Sequence, residues 1–219
     1  MKNKAIIFLI MLTSCTLEKN NLIIEGEISE VKNSKIYLSI TEQKKIIDSA
    51  SIINGKFILE TRINEPLEMS LILDNKNSKN KFNFITEPGQ ILFTSSKNKF
   101  IFNGKIQNSK IYSDLKKLEN QINRFNEMDL DMLAKQIKFS ANRDKNKYDS
   151  INEQRLKINE KKILFIVNYA MNNSSNPLSA YISYKYKGNI SKKYLEKIHE
   201  KLADEVKYSY YGNKLLSTL

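Results

Sequence analysis

Cys15 carries the most reactive side chain of this sequence, and the chain contains no other cysteine. A single thiol cannot form an intramolecular disulfide, a Cys-x-x-Cys redox pair or a thiolate zinc site. The cysteine ends the run Leu12-Thr13-Ser14-Cys15, which follows the basic residues Lys2 and Lys4 and an apolar stretch over residues 5–12. A basic start, an apolar stretch and small residues before a cut are the parts of an export signal. A cysteine at the cut is typical of a bacterial lipoprotein.

The apolar stretch is too short to be a permanent membrane anchor. A helix that spans a bilayer needs roughly 20 apolar residues, and residues 5–12 supply eight. We therefore predict a signal peptide over residues 1–14, a lipid attached to Cys15, and a polar tether over residues 15–21. The alternative interpretation is an ordinary unpaired cysteine in an N-terminal segment.

The predicted lipid places the protein in the cell envelope, attached to the inner or the outer membrane and facing the periplasm. The second position after the cysteine is Leu17 rather than aspartate. The chain therefore shows no enterobacterial signal for retention in the inner membrane, and the sequence leaves the choice of membrane open.

His199 is the only histidine and lies in the last stretch with helical periodicity. A histidine can serve as a general base or a metal ligand, but either role needs a partner group. Asp204 and Glu205 follow five and six residues later, a spacing that places them poorly on the same helix face. We expect His199 to be a surface or boundary residue.

Two acidic residues, Asp129 and Asp131, could bind a divalent cation together with a further ligand. No Gly-rich loop or further acidic cluster accompanies them, so we expect both carboxylates to be solvated. The chain also lacks a Gly-x-Ser-x-Gly elbow and a Gly-x-x-x-x-Gly-Lys loop. We predict no catalytic residue, no cofactor and no metal site; an enzyme would need a pocket that brings Glu, Asp or His199 together.

Seven of the eleven tyrosines lie in the last part of the chain. Tyrosine combines an apolar ring with a hydroxyl group and is enriched in interfaces. Core packing is the preferred interpretation, yet we expect some of Tyr208, Tyr210 and Tyr211 to be exposed and to contact another envelope protein. The full group is Tyr181, Tyr184, Tyr186, Tyr194, Tyr208, Tyr210 and Tyr211.

The formal net charge of +12 raises nucleic acid as a partner. The excess lies in residues 106–219, which hold 21 basic and 13 acidic residues. These lysines are dispersed among acidic residues and do not form the arginine-rich, aromatic-interleaved stripe that favours phosphate binding. We therefore predict no nucleic-acid partner, while attraction to anionic lipid headgroups stays physically reasonable.

The first half of the folded chain has the sequence pattern of β-strands. Apolar residues recur with period two from Leu22 to about Gly104, which predicts strands with one buried face. Phe100 and Phe102 share one such predicted face. Asn54-Gly55 suits a tight hairpin turn, and Glu87-Pro88-Gly89 predicts a similar turn. About eight strands at this spacing predict an antiparallel β-sandwich or a partly closed barrel.

The second half has the apolar period of α-helices. Asn108 is the predicted N-cap of a long helix with a bend near residues 127–131, and a second helix is predicted from about Lys145 to Met171. A short helix over Leu178–Tyr186 precedes one that starts behind Ser191 and carries apolar residues through Val206 on one face.

The predicted fold class is therefore α+β. A β domain over residues 22–105 is followed by an all-helical domain over residues 106–219. We expect no Pro-rich or Gly/Ser-rich linker between the two.

Short motifs follow one another across roughly residues 20–115. They are Ile24-Glu25-Gly26-Glu27-Ile28, Lys35-Ile36-Tyr37-Leu38, Ile47-Asp48-Ser49-Ala50, Asn54-Gly55-Lys56-Phe57, Glu87-Pro88-Gly89, and Asn103-Gly104 with Asn108. Their order and spacing resemble the domain of unknown function 4369, found at the N-terminus of many Bacteroidota lipoproteins that continue into a thioredoxin-like domain. The resemblance implies a lipid anchor, a β-rich fold and an envelope setting.

The redox function of that family belongs to the thioredoxin-like domain and its Cys-x-x-Cys, so the resemblance carries no catalytic residue to any position of this sequence. The predicted function is a non-catalytic, lipid-anchored binding or scaffolding module of the cell envelope. The alternative is a shortened thiol–disulfide oxidoreductase that has lost its thioredoxin-like catalytic domain.

Overall fold

The structure, a computed structural model, describes residues 20–74 and 80–219. The predicted signal peptide 1–14, Cys15 and most of the predicted tether lie outside these residues. Of the helices in the described ranges, none is both long enough and apolar enough to cross a membrane.

The N-terminal half forms one sheet of eight strands that curls into a half-barrel. The strands are β1 (Leu22–Ser29), β2 (Asn33–Ile40), β3 (Lys45–Ile53), β4 (Lys56–Thr61), β5 (Leu67–Leu73), β6 (Lys81–Thr86), β7 (Gly89–Ser96) and β8 (Lys105–Gln107). Their order across the sheet is β6-β5-β2-β3-β4-β1-β7-β8. The two ends of this order, β6 and β8, are the edges of the half-barrel.

Of the two predicted architectures, the half-barrel corresponds to the partly closed barrel, and its strands are not all antiparallel. β1 pairs antiparallel with β4 on one side and parallel with β7 on the other. The turn at Glu87-Pro88-Gly89 therefore does not close the hairpin that was predicted there. It joins β6, at one edge of the sheet, to β7, which lies beside β1. The backbone N–H of Gly89 donates to the carbonyl of Asn21 (2.8 Å), so this turn docks at the start of β1.

The predicted hairpin at Asn54-Gly55 is confirmed between β3 and β4. Both residues have positive φ angles, 52° and 82°, which a two-residue turn between twisted antiparallel strands requires. The N–H of Ile28 donates to the carbonyl of Gly55 (2.7 Å), so the turn also contacts the end of β1.

The prediction that Phe100 and Phe102 share a strand face is wrong. The chain makes a helical turn there, in which Asn103 N–H donates to Lys99 O (2.8 Å). In such a turn residues two apart point in different directions. Phe100 is 2% exposed and Phe102 is 88% exposed.

Six helices follow the sheet. They are α1 (Lys110–Ala141), α2 (Lys145–Asn172), α3 (Pro177–Lys185), α4 (Lys192–Lys201), α5 (Asp204–Lys207) and α6 (Tyr210–Leu216). The first two pair as a long helical hairpin, α3 and α4 pack on α2, and α5 and α6 pack on α3.

The start of α1 differs from the prediction by one residue. Ser109 is the N-cap, because its Oγ accepts the N–H of Tyr112 (3.2 Å). Asn108 has a φ of 62°, a left-handed conformation that asparagine tolerates. The helix continues through residues 127–131, where a bend was predicted, without an interruption of its helical hydrogen bonds.

The last predicted helix is wrong in its extent. α4 ends at Lys201, Leu202 has an extended backbone, and the N–H of Ala203 donates to Ser174 O (3.1 Å). Ser209 then caps α6, with Oγ accepting the N–H of Gly212 (3.2 Å). These breaks turn the chain back toward the sheet. Of the apolar face predicted for this helix, Leu195, Ile198, Leu202 and Val206 are buried, whereas Tyr194, which was predicted on the same face, is 39% exposed.

The half-barrel and the helices each enclose a hydrophobic core, and each core contains a side chain from the other half. Ile85 of β6 packs in the helical core, and Tyr112 of α1 packs in the sheet core. The change from strand to helix falls between Gln107 and Lys110, next to the predicted domain boundary.

Gly26 lies in the middle of β1, opposite Phe57 on β4 and Phe93 on β7. The ring of Phe57 covers it so closely that a Cβ at this position would be 2.0 Å from the ring Cζ. The rings of Phe57 and Phe93 have their centroids 6.3 Å apart. The glycine leaves room for the aromatic side chains that fill the half-barrel.

We expect Gly26→Ala to lower the free energy of unfolding by about 1–3 kcal/mol, because the added methyl group overpacks the core against Phe57. Gly188→Ala is the matched control, since a Cβ there meets no atom within 4 Å. Urea unfolding followed by circular dichroism measures both. Equal effects of the two substitutions would contradict this account of Gly26.

Candidate functional site

His199 lies on α4 at intermediate exposure, as the sequence predicted. Within the described ranges its Nε2 is buried and has no hydrogen-bond partner. Burial, and then the nearby charge of Lys207, lower the pKa of His199, while Glu200 opposes this shift. The imidazole is therefore mainly neutral at neutral pH.

Asp129 is not the solvated carboxylate that the sequence predicted, because it pairs with Arg155 across the helical hairpin. Arg155 donates from Nε and Nη2 to the two Asp129 oxygens (2.8 and 3.2 Å) and from Nη1 to Gln136 Oε1 (2.6 Å). Gln136 in turn donates to Asn152 Oδ1 (3.1 Å). Asp131 is exposed, as predicted.

This polar network aligns α1 with α2 and does not form a metal site. Groups of three or more His, Cys, Asp or Glu that could hold a metal ion are absent from the described part of the chain. The hydrogen bonds from Arg155 lower the pKa of Asp129, against the opposing effect of burial. The carboxylate therefore stays ionised and paired at neutral pH.

The C-terminal tyrosines join the helices to the sheet. Tyr181 donates to Glu68 Oε1 (3.0 Å), and the N–H of Glu68 donates to the Tyr211 hydroxyl (3.1 Å). The two rings meet edge to face with centroids 5.0 Å apart. Tyr210 donates to Glu42 Oε2 (2.9 Å). Tyr181, Tyr210 and Tyr211 are therefore structural.

Burial and the adjacent Glu68 carboxylate raise the pKa of Tyr181. Burial also raises the pKa of Tyr211. Both hydroxyl groups therefore stay protonated at neutral pH.

Of the three tyrosines predicted to reach the surface, Tyr208 is 72% exposed and Tyr211 is 5% exposed. Tyr210 is half-buried against Glu42. Of these three tyrosines, only Tyr208 is as exposed as predicted. Its contact with an envelope protein stays a prediction.

A hollow lies on the side of the sheet that faces away from the core, across β1, β4, β7 and β8 and next to the end of β3. It has a volume of about 500 Å³. We call it the outer-face hollow. The side chains of Ile53, Ile58 and Leu92 give it an apolar floor, with the polar groups Glu25, Glu27, Lys56, Thr94 and Gln107 around them.

Strand register explains why these side chains meet. Glu25 lies opposite Ile58 on one side and Leu92 on the other, and Glu27 lies opposite Lys56 and Thr94 in the same way. The aliphatic side chains are open to solvent: Ile53 is 63% exposed and Ile58 is 58% exposed. The arrangement can bind a ligand that combines apolar and polar groups.

The sequence alone does not reveal this hollow. Its residues alternate with core residues along each strand, so their outward direction follows from the period of two. Their proximity depends on the parallel pairing of β1 with β7, for which the chain has no local signal.

The fold defines a class of protein, an open half-barrel that is closed on one side by a helical bundle. Its edge region and outer face carry exposed side chains. A family model, the domain of unknown function DUF4369, matches residues 22–148. The match covers more than half of the chain, and the protein belongs to this family. It confirms the resemblance and extends it through α1 to the start of α2. No curated protein and no solved structure matches the chain.

We expect Asp129→Asn to destabilise the protein by roughly 0.5–1 kcal/mol at pH 7, because it removes the ionised partner of Arg155. The native pKa of Asp129 is lowered from the ordinary aspartate pKa of 3.8, so the pairing stabilises the fold above that pH. The contribution is lost as the pH falls through the lowered pKa, and the variant and the natural chain converge at acid pH.

Urea unfolding at a series of pH values measures this difference. Asp131→Asn is the matched control, since Asp131 lies on the same helix and is exposed. A deficit of the Asp129 variant that does not shrink as the pH falls below 3.8 would rule out the ion pair as its cause.

Proposed function

We propose that the protein is a lipid-anchored binding module of the cell envelope, attached through Cys15, and that its outer-face hollow binds the ligand. The observation that carries the binding role is the group of exposed aliphatic side chains in that hollow. Exposed apolar side chains rimmed by polar groups are typical of interaction sites. The anchor is supported by the sequence around Cys15.

The position of Asn21, at the start of the sheet, supports a short distance between the outer-face hollow and the membrane. Asn21 is fixed to the strand end by two hydrogen bonds with the backbone of Ile63, one in each direction (2.7 and 2.9 Å). Asn21 is the sixth residue after Cys15, and six residue steps span about 20 Å at most. A lipid on Cys15 would hold the end of the sheet where β1 begins within this distance of the bilayer.

The hollow lies further along β1, at Glu25 and Glu27. Each strand residue adds about 3.3 Å, so the hollow lies farther from the bilayer than the end of the sheet where β1 begins. It opens to the side. This position suits a ligand in the periplasm. Tyr208, the most exposed of the C-terminal tyrosines that were predicted to contact a partner, offers a second contact for an envelope protein.

Intact mass measurement tests the anchor. We expect the native protein to lack residues 1–14 and to carry a lipid on Cys15, and we expect Cys15→Ala to abolish partition into detergent. Ser14→Ala keeps a small residue before the cut and serves as the control. A free Cys15 thiol or a retained Met1 in the natural protein would refute the anchor.

A photoreactive amino acid in place of Ile58 tests the hollow. We expect a discrete crosslinked adduct in cells, and we expect Leu92→Asp in the same chain to reduce it at least tenfold, because a charge would enter the apolar floor. The same label at Ile46, which is 44% exposed and outside the hollow, is the control.

A label at Tyr208 in the same experiment tests the second contact, and Leu92→Asp should leave its adduct unchanged. If the Ile58 adduct were equally strong with and without Leu92→Asp, the hollow would not be the binding site.

A further inference from the structure

A groove lies on the helical half, between the start of α1 and the C-terminal end of α2. Its volume is about 450 Å³, within the range of about 300–1,000 Å³ that small-molecule sites occupy. A hollow of about 290 Å³ continues it past the start of α3, because Lys110, Asp114 and Asn176 line both. We call the two together the helix groove. It shares no residue with the outer-face hollow.

One wall of the helix groove is a row of polar side chains on α1. Its members are four, three and four residues apart, a spacing that puts them on one face of a helix. They are Lys110, Asp114, Lys117 and Gln121. Both lysines donate to Asp114, over 2.5 and 3.2 Å. Gln121 is exposed, and no described residue forms a hydrogen bond with its side-chain amide.

The opposite wall carries two aromatic rings. Phe165 and Tyr169 lie four residues apart on α2, and Asn173 continues their row at the C-cap of the helix. Both rings are partly buried against the helical core. Phe165 also packs against Phe125, with ring centroids 5.8 Å apart. The helix groove therefore has a fixed aromatic wall that faces a polar one.

The hydroxyl group of Tyr169 is available to a ligand. Among the described residues, none forms a hydrogen bond with it. Partial burial, and then the charge of Asp114, raise the pKa of Tyr169. The hydroxyl is therefore protonated at neutral pH and can both donate and accept a hydrogen bond.

The charges that line the helix groove cancel each other. They are the cations Lys110 and Lys117 and the anions Asp114 and Glu87. The whole chain, in contrast, has a net charge of +12. An anionic ligand in the groove would meet two carboxylates and a cationic ligand two ammonium groups, so the balance favours a ligand without charge.

We propose that the helix groove binds a neutral oligosaccharide. A pyranose ring has an apolar face of C–H groups and an edge of hydroxyl groups. The apolar face can pack on an aromatic ring such as that of Tyr169. The hydroxyl groups can exchange hydrogen bonds with the amide of Gln121 and the carboxylate of Asp114. The polar row runs over about 16 Å of α1 at 1.5 Å per residue, which suits a chain of sugar rings better than a single ring.

Isothermal titration calorimetry with maltotriose, cellotriose and chitotriose tests the proposal. The natural protein is used in a zwitterionic detergent that carries no sugar, and we expect at least one of these neutral trisaccharides to bind. Gln121→Ala should weaken its binding about fivefold, because one hydrogen bond is lost. Tyr169→Ala should weaken it about tenfold or more, because the ring surface is lost. Tyr169→Phe, which keeps the ring, should have the smaller effect.

Gln154→Ala and Tyr148→Ala are the matched controls and should leave the affinity unchanged. Both residues are exposed on α2 and lie outside the helix groove. Circular dichroism checks that each variant is folded. If Tyr169→Ala does not fold, Gln121→Ala still decides, since Gln121 is exposed.

Three results would overturn the proposal. The first is the absence of binding of all three trisaccharides at about 10 mM, tenfold above a weak millimolar constant. The second is an equal affinity of the natural chain and Gln121→Ala. The third is tighter binding of glucose 6-phosphate that is lost at high salt, since it would show a site for anions.

Leu92→Asp separates this proposal from the function proposed for the outer-face hollow. It places a charge in the floor of that hollow, so the trisaccharide affinity should not change. Loss of sugar binding in this variant would place the sugar in the outer-face hollow and overturn the assignment to the helix groove.

Discussion

The packing of aromatic rings over Gly26 is the constraint on which the half-barrel depends. β1 is the strand that joins the hairpin side of the sheet, through β4, to β7 and β8. A half-barrel of eight strands has a wide concave face, and Phe57, Phe82, Phe93 and Phe100 fill it with ring centroids 5.2–6.3 Å apart. A side chain on β1 between Phe57 and Phe93 would occupy the volume that these rings need.

An open half-barrel leaves one end of its core to be covered, and the helical half supplies the cover. Tyr181 and Tyr211 bond to Glu68 on β5, and Glu87 accepts the N–H of Ile111 at the start of α1 (3.0 Å). Buried polar groups without partners are costly, so these bonds fix how the helices sit on the sheet. The β half and the helical half, which differ in the period of their apolar residues, are thus joined by hydrogen bonds, and each contributes a side chain to the core of the other.

The sequence predicted those features that depend on neighbouring residues. The strands, the turn at Asn54-Gly55 and the two long helices follow from local periods and turn residues. The parallel pairing of β1 with β7, the bond between Asp129 and Arg155, and the outer-face hollow join residues far apart in the chain. Local patterns do not encode such pairings: Asp129 looks solvated until the register of α2 brings Arg155 beside it.

The polar network within the hairpin fixes how its two long helices pack on each other. Two helices that pack on each other alone can slide, because aliphatic contacts tolerate many registers. The bidentate bond between Arg155 and Asp129, with Gln136 and Asn152 beside it, has one geometry and fixes one register. Such a network adds little net stability, since charges lose hydration when they are covered. Its effect is to fix which residues of α1 and α2 face each other, while Leu130 and Leu156, which directly follow Asp129 and Arg155, stay exposed.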